Sequence, residues 1–182
     1  MASKDLPKSF SEAINSLMGL EVDEKIKLKE IMPPSRISPY SLAVEATIED
    51  KNNLDTTLGN FVVIYKEDEA AQWGSPFKVI THITSGVENE MASDPVFRQH
   101  IWSKFCNTVM QAPSININGT VTTSINEYFD SNDIGIQQNA GGTEDSTFDL
   151  RASWSTQSSN MKPHFLAWIQ TFTSLTNSEM LF

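Results

Sequence analysis

The order in which the hydrophobic period changes along the chain is the feature that most limits its fold. A helical period near the N-terminus gives way to about four strand-like runs, a second helix, two more strand-like runs and a closing helix. Neighbouring strand-like runs with short connections favour an antiparallel sheet over parallel crossover units. We therefore expect an α+β fold, in which five to six antiparallel strands carry three helices packed mainly on one face.

Apolar stripes and capping residues predict where the helices lie. Ser9 and Glu12 have the spacing of a capping box, and they predict a helix over residues 9–18 that ends at Gly19. Asp94, a good N-cap, precedes a proline that suits the first position of the second helix. The third helix has an almost continuous core stripe, which consists of Met161, Phe165, Trp168, Ile169, Phe172 and Leu175.

The strand-like runs differ in how buried they should be. Residues 25–32 carry three lysines and indicate an edge strand, because charge discourages pairing with another molecule. Residues 42–48 alternate in polarity, which is typical of a half-buried strand, whereas residues 61–65 are continuously apolar and predict the most buried one. Residues 77–85 predict a further long strand.

Two more strands are expected after the second helix. Ile115, Ile117, Val121 and Ile125 fall on one face of the first, and Gly119 predicts a bulge within it. Residues 147–154 alternate strictly and predict the last strand. Residues 130–146 are rich in Asp, Asn, Gly and Ser, so we interpret them as a flexible loop within a single domain that spans residues 1–182.

Charge and cysteine content exclude some partners and favour one compartment. The formal net charge of −10 provides no surplus of cations for nucleic acid or for an anionic membrane, while a basic protein partner stays open. The single cysteine, Cys106, cannot form an intramolecular disulfide, and the N-terminus lacks the apolar region of a secretion signal. No run of apolar residues reaches the roughly 20 that are needed to span a membrane. The sequence thus predicts a cytoplasmic protein.

No motif with recognisable chemistry is present. His82, His100 and His164 have no metal-ligand neighbour at a helical or Cys-x-x-Cys spacing, although distant residues could still form a site. Cys106 follows His100 by six residues, which places the two on different faces of a helix. Residues 141–143 read Gly-Gly-Thr without the lysine of a phosphate loop. We therefore predict no catalytic residue, no cofactor and no metal.

Two residues are candidates for contact with a partner. Arg151 is the basic residue of the last strand and points away from Phe148 and Trp154, so it could bind a carboxylate on a partner or pair with an acidic residue of a neighbouring strand. Trp73 lies in a turn beside Gly74, where it could be an exposed interface residue or could close one end of the core.

Several stretches together resemble an uncharacterised actinobacterial family, a domain of unknown function. They are residues 31–36, 39–40, 90–95 with Trp102, 118–122 and 150–154, and they extend over most of the chain. The resemblance implies a cytosolic protein and no particular activity. The order of elements is also similar to that of type III secretion chaperones, with an extra first strand, which is a likeness of topology alone.

These observations leave two hypotheses open. The first is a non-enzymatic protein-interaction or chaperone-like module. We expect a homodimer and a monomer equally. The second is a small-molecule-binding or enzymatic α+β domain whose site is assembled from scattered residues. A filled core would favour the first, and a deep pocket between helices and sheet, lined by histidine or paired acids, would favour the second.

Overall fold

The computed structural model describes residues 6–33, 38–49, 56–125 and 146–176. Its centre is one open, antiparallel sheet whose strands are β1 (Lys27–Ile31), β2 (Ser41–Glu49), β3 (Thr56–Tyr65), β4 (Phe77–Val87), β5 (Ser114–Ser124) and β6 (Ser146–Thr156). The helices are α1 (Lys8–Ser16), α2 (Ala70–Trp73), α3 (Asn89–Ser93), α4 (Pro95–Val109) and α5 (Lys162–Thr176). The expected α+β class with an antiparallel sheet is confirmed.

The spatial order of the strands is β1-β2-β3-β4-β6-β5. The first four strands form a meander in which each pairs with the next. After β4 the chain runs through α3 and α4 to the far edge of the sheet, where it forms β5. The last strand, β6, then lies between β4 and β5 and pairs with both. This places β1 and β5 at the two edges.

The sheet has two different faces, because side chains alternate along each strand. We call the side that carries α1, α4 and α5 the helix face. On β4 it consists of Phe77, Val79, Thr81, Ile83, Ser85 and Val87, all buried. The other side, the open face, consists on β4 of Lys78, Ile80, His82, Thr84 and Gly86, all partly exposed.

Aromatic side chains fill the layer between the helices and the helix face. Trp168 of α5 packs 5.4 Å from the ring of Phe61 and 5.7 Å from that of Phe172, measured between centroids. Its indole N–H also donates to Thr81 Oγ1 at 2.7 Å. Phe105 of α4 lies 5.8 Å from Trp154 of β6. Phe165 and Trp168 are buried as the sequence predicts.

Several local expectations are wrong in detail. α1 begins at Lys8 behind Pro7, and no side chain caps it, so Ser9 and Glu12 do not form a capping box. The bulge of β5 lies between Ile115 and Asn118, where Asn116 has a φ of 55°, and not at Gly119. A Cβ on Gly119 would overlap the carbonyl oxygen of Arg151, so this glycine allows close approach of two strands.

Other differences concern element number and ends. Besides the three expected helices, α2 and α3 form single turns that are too short to show a periodic stripe. Asp94 caps α4 as expected, since its carboxylate accepts from the Val96 N–H at 2.8 Å. The expected loop over residues 130–146 lies outside the described residues except for Ser146, which is buried and begins β6.

Candidate functional site

A row of polar side chains crosses the open face from one edge of the sheet to the other. Cross-strand pairing aligns one residue from each strand, and directly opposite residues share a face. The row, which we call the polar row, consists of Lys29, Glu45, Asn60, His82, Arg151 and Thr120. These residues are far apart in sequence, and the register of the sheet brings them together.

His82 and Asp149 form a close pair at the centre of the open face. His82 Nε2 lies 2.5 Å from Asp149 Oδ1, although 67 positions separate the two residues in the chain. Their side chains are 37% and 28% exposed, so the pair lies on a solvent-facing surface rather than in a cleft. Thr84 and Thr122 flank Asp149 on the two neighbouring strands. No signal in the sequence indicated this pairing.

Arg151 lies beside this pair and projects from β6 into solvent. Its cross-strand neighbours are His82 and Thr120, and its side chain makes no hydrogen bond or ion pair with any residue in the described part of the chain. Asp149, the acidic residue nearest to it on the same face of β6, binds His82 instead. The guanidinium therefore keeps its donors available for a carboxylate from outside the domain.

Trp73 marks one end of the same face. It is the last residue of α2 and is partly buried, and Gly74 follows it with a φ of 74°. Lys78 Nζ of β4 lies 5.3 Å from the centroid of its ring, a cation–π distance. The Trp73 carbonyl accepts from Asn116 Nδ2 at 2.9 Å, which ties α2 to β5. Lys78 faces Ser155, four residues along β6 from Arg151, a distance of about 13 Å.

The rest of the open face combines an apolar strip with nearly balanced charge. Next to the polar row, pairing aligns the side chains of Ile31, Ala43, Val62 and Ile80. The basic residues of the strands on this face are Lys27, Lys29, Lys78 and Arg151, and the acidic ones are Glu45, Glu49 and Asp149. In a chain of formal charge −10, this face is therefore less acidic than the remainder.

The other candidates for chemistry are set in packed surroundings. His164 is completely buried, and its Nδ1 accepts from the Trp154 indole N–H and lies 3.2 Å from the Ser114 hydroxyl oxygen. Burial lowers the pKa of His164 to about 4, so the ring is neutral. Burial also raises the pKa of the Cys106 thiol on α4, which disfavours the reactive thiolate. Both residues fit packing roles.

Among the described residues, no group of three or more His, Cys, Asp or Glu side chains could hold a metal ion. Within the same ranges, no helix has the length and apolar character needed to cross a membrane.

A shallow depression lies on the helix face at the boundary of α4 and β5. Its volume is about 270 Å³, and it is lined by Arg98, Gln99, Trp102, Gly119 and Val121. The two candidate residues from the sequence, Trp73 and Arg151, are not part of it.

The model of a family described as "Protein of unknown function (DUF3000)" matches residues 6–177. No curated protein and no solved structure matches the chain.

Proposed function

The chain belongs to the DUF3000 family, and we propose that it is a non-catalytic protein-binding module that uses the open face of its sheet. The observation that carries the proposal is Arg151, an exposed guanidinium without a bonding partner among the described residues, in a row of polar groups that crosses the sheet. A cation of this kind binds carboxylates with defined geometry. The apolar strip beside the row supplies contact area.

The spacing of Trp73 and Arg151 suits a protein partner. About 13 Å of β6 separates Arg151 from Ser155, which faces the lysine that packs over the Trp73 ring, and a protein contact of ordinary size covers such a span. Tryptophan and arginine are enriched among residues that contribute most to binding energy at interfaces. The filled aromatic layer under the helices supports this hypothesis over a ligand pocket there.

A second candidate is an enzymatic site, and the His82–Asp149 pair is the observation that favours it. An imidazole oriented by a carboxylate is a common general base. The pair is nevertheless open to water on a sheet surface, where electrostatic stabilisation of a transition state is weak. This exposure favours the protein-binding hypothesis over the enzymatic one.

The experiment compares two charge reversals in the full chain, Arg151→Glu and Lys25→Glu. Both variants change the net charge equally, but Lys25 is exposed in the turn before β1 and belongs to no strand of the sheet. A photo-crosslinking residue at Ser153, beside Arg151, identifies in the native cytosol which protein contacts the open face. We expect Arg151→Glu to abolish the main crosslink and Lys25→Glu to keep it, while circular dichroism shows both variants folded.

The outcomes distinguish the hypotheses. A main crosslink that persists in Arg151→Glu and in Trp73→Ala would contradict the proposed surface. If His82→Gln and Asp149→Asn destroy cellular function while folding and the crosslink are kept, the enzymatic hypothesis becomes the better one. A cytoplasmic location is part of our proposal and is tested by fractionation of the same cells.

A further inference from the structure

The two edges of the sheet differ in how they are protected. β1 has five residues, and Lys27 and Lys29 project from it, a common device against pairing with another chain. β5 has eleven residues, no charged side chain and no proline. In the described part of the chain, β5 pairs only with β6, so its outer backbone groups lack a ladder partner.

The surroundings of β5 have an unusual charge for this protein. Residues 95–125, which include α4 and β5, contain no Asp or Glu, whereas the whole chain has a formal charge of −10. Arg98 and Lys104 of α4 are the cations of this stretch. The α4–β5 edge therefore attracts an acidic segment, although the chain as a whole is negatively charged.

The depression described above gives this edge a position for a side chain. A strand added beside β5 would place alternate side chains on the helix face, about 7 Å apart. One of them would meet Trp102 and Val121, which line the depression. The next would lie near Thr123. The hydroxyl oxygen of Thr123 accepts a hydrogen bond from Arg98 Nη1 at 3.1 Å.

We infer that β5 binds an extended segment of a partner protein as an additional strand, with an apolar and an acidic residue two positions apart. The backbone of β5 supplies the ladder, the depression takes the apolar side chain and Arg98 takes the carboxylate. A second copy of this chain fits less well, because β5 has no carboxylate to offer Arg98. The depression and Arg98 lie on the helix face, opposite the open face, so the inference does not depend on the proposed function.

The test uses a fluorescein-labelled peptide, acetyl-Thr-Ser-Val-Thr-Ile-Thr-Glu-Thr-Ser-amide, and a control peptide with Gln in place of Glu. Fluorescence anisotropy measures the binding of both to the full chain. We expect Arg98→Gln to weaken binding of the Glu peptide about tenfold, the scale of one charge-assisted hydrogen bond. Binding of the Gln peptide should change less than about twofold in this variant, because the lost pair is absent from it.

Arg151→Gln is the matched control variant, because it removes an arginine from the open face instead. It should alter binding of the Glu peptide by less than about twofold. If Arg151→Gln weakens binding and Arg98→Gln does not, the peptide lies on the open face and the inference is wrong. Failure of the peptide to bind at about 1 mM also overturns it.

Hydrogen exchange tests strand addition itself. Saturating peptide should slow exchange of the outward-facing amides in residues 118–124, because they gain ladder partners. Amides of β1, the other edge, should exchange as before. If residues 118–124 are already protected without peptide and lose protection when a dimer is diluted to monomer, a second copy occupies the edge and the inference fails.

Discussion

Alternate residues of β4 build two surfaces that are used differently. Toward the helices, side chains such as Val79 and Ile83 are fully buried under aromatic rings. Toward solvent, His82 pairs with Asp149 and Lys78 packs over the Trp73 ring, and these side chains are partly exposed. One strand thus supplies a packed face and a solvent-facing one, and only the packed face should contribute strongly to stability. If the two faces are independent, substitutions on the helix face should lower the free energy of unfolding and substitutions on the open face should not.

The strongest test of the helix face is Trp168→Ala. Truncation removes a completely buried indole and its hydrogen bond to Thr81, so we expect a loss of about 3–5 kcal/mol in the free energy of unfolding. Leu166→Ala, on the exposed side of the same helix, is the control and should cost less than about 1 kcal/mol. Urea unfolding measures both. Equal losses would mean that α5 does not anchor the core.

The second test uses acid to charge a helix-face residue. Unfolding raises the pKa of His164 from about 4 to its ordinary value of 6.5. The stability due to the neutral ring is complete above pH 6.5 and is lost as pH falls toward 4. Relative to His164→Gln, the free energy of unfolding of the natural protein should therefore drop by up to about 3 kcal/mol between pH 7 and pH 4. Parallel pH profiles of the two proteins would contradict this prediction.

A third change asks whether the helix face has room for one methyl group. A Cβ on Gly59 of β3 would lie 2.8 Å from Phe172 Cδ2 and 3.1 Å from Trp168 Cζ2. We expect Gly59→Ala to cost about 1–3 kcal/mol, because one of the rings must move. Thermal unfolding measures the loss, and the double variant Gly59→Ala, Phe172→Leu should recover part of it. A neutral result would show that this face is not tightly packed.

The smallest effect is expected on the open face. Arg151→Gln removes an exposed charge that pairs with nothing in the described residues, so the free energy of unfolding should change by less than about 0.5 kcal/mol. Urea unfolding at low salt measures it. A loss as large as that of Gly59→Ala would show that Arg151 supports the fold, and the two faces would then not be separable.

How much of this could be predicted depends on the range of the interactions. The strict alternation of residues 77–85 and 147–154 predicted two strands and their faces, and the stripe of α5 predicted its buried side, because these patterns are local. Ala43 and Ala46 of β2 are both buried although they lie on opposite faces. Alternation along β2 therefore did not predict which of its residues are buried.

The candidate site was less predictable than the fold. Trp73 and Arg151 were found as single residues from their local settings, and whether they bind a partner stays a prediction. The polar row and the His82–Asp149 pair depend on the register of strands far apart in the chain. A one-residue change of register would move every side chain of a strand to the other face, and hydrophobic period does not specify which strands are neighbours.

The position of β6 between β4 and β5 has a consequence for synthesis. β6 pairs with β4 across roughly 60 to 80 positions of sequence, and contacts of such long range slow folding. While the chain leaves the ribosome, the meander of β1 to β4 can form first, but β4 must wait for a neighbour that is made almost last. During that interval the unpaired edge of β4 exposes apolar residues and backbone hydrogen-bonding groups. Both features recruit chaperones or lead to aggregation.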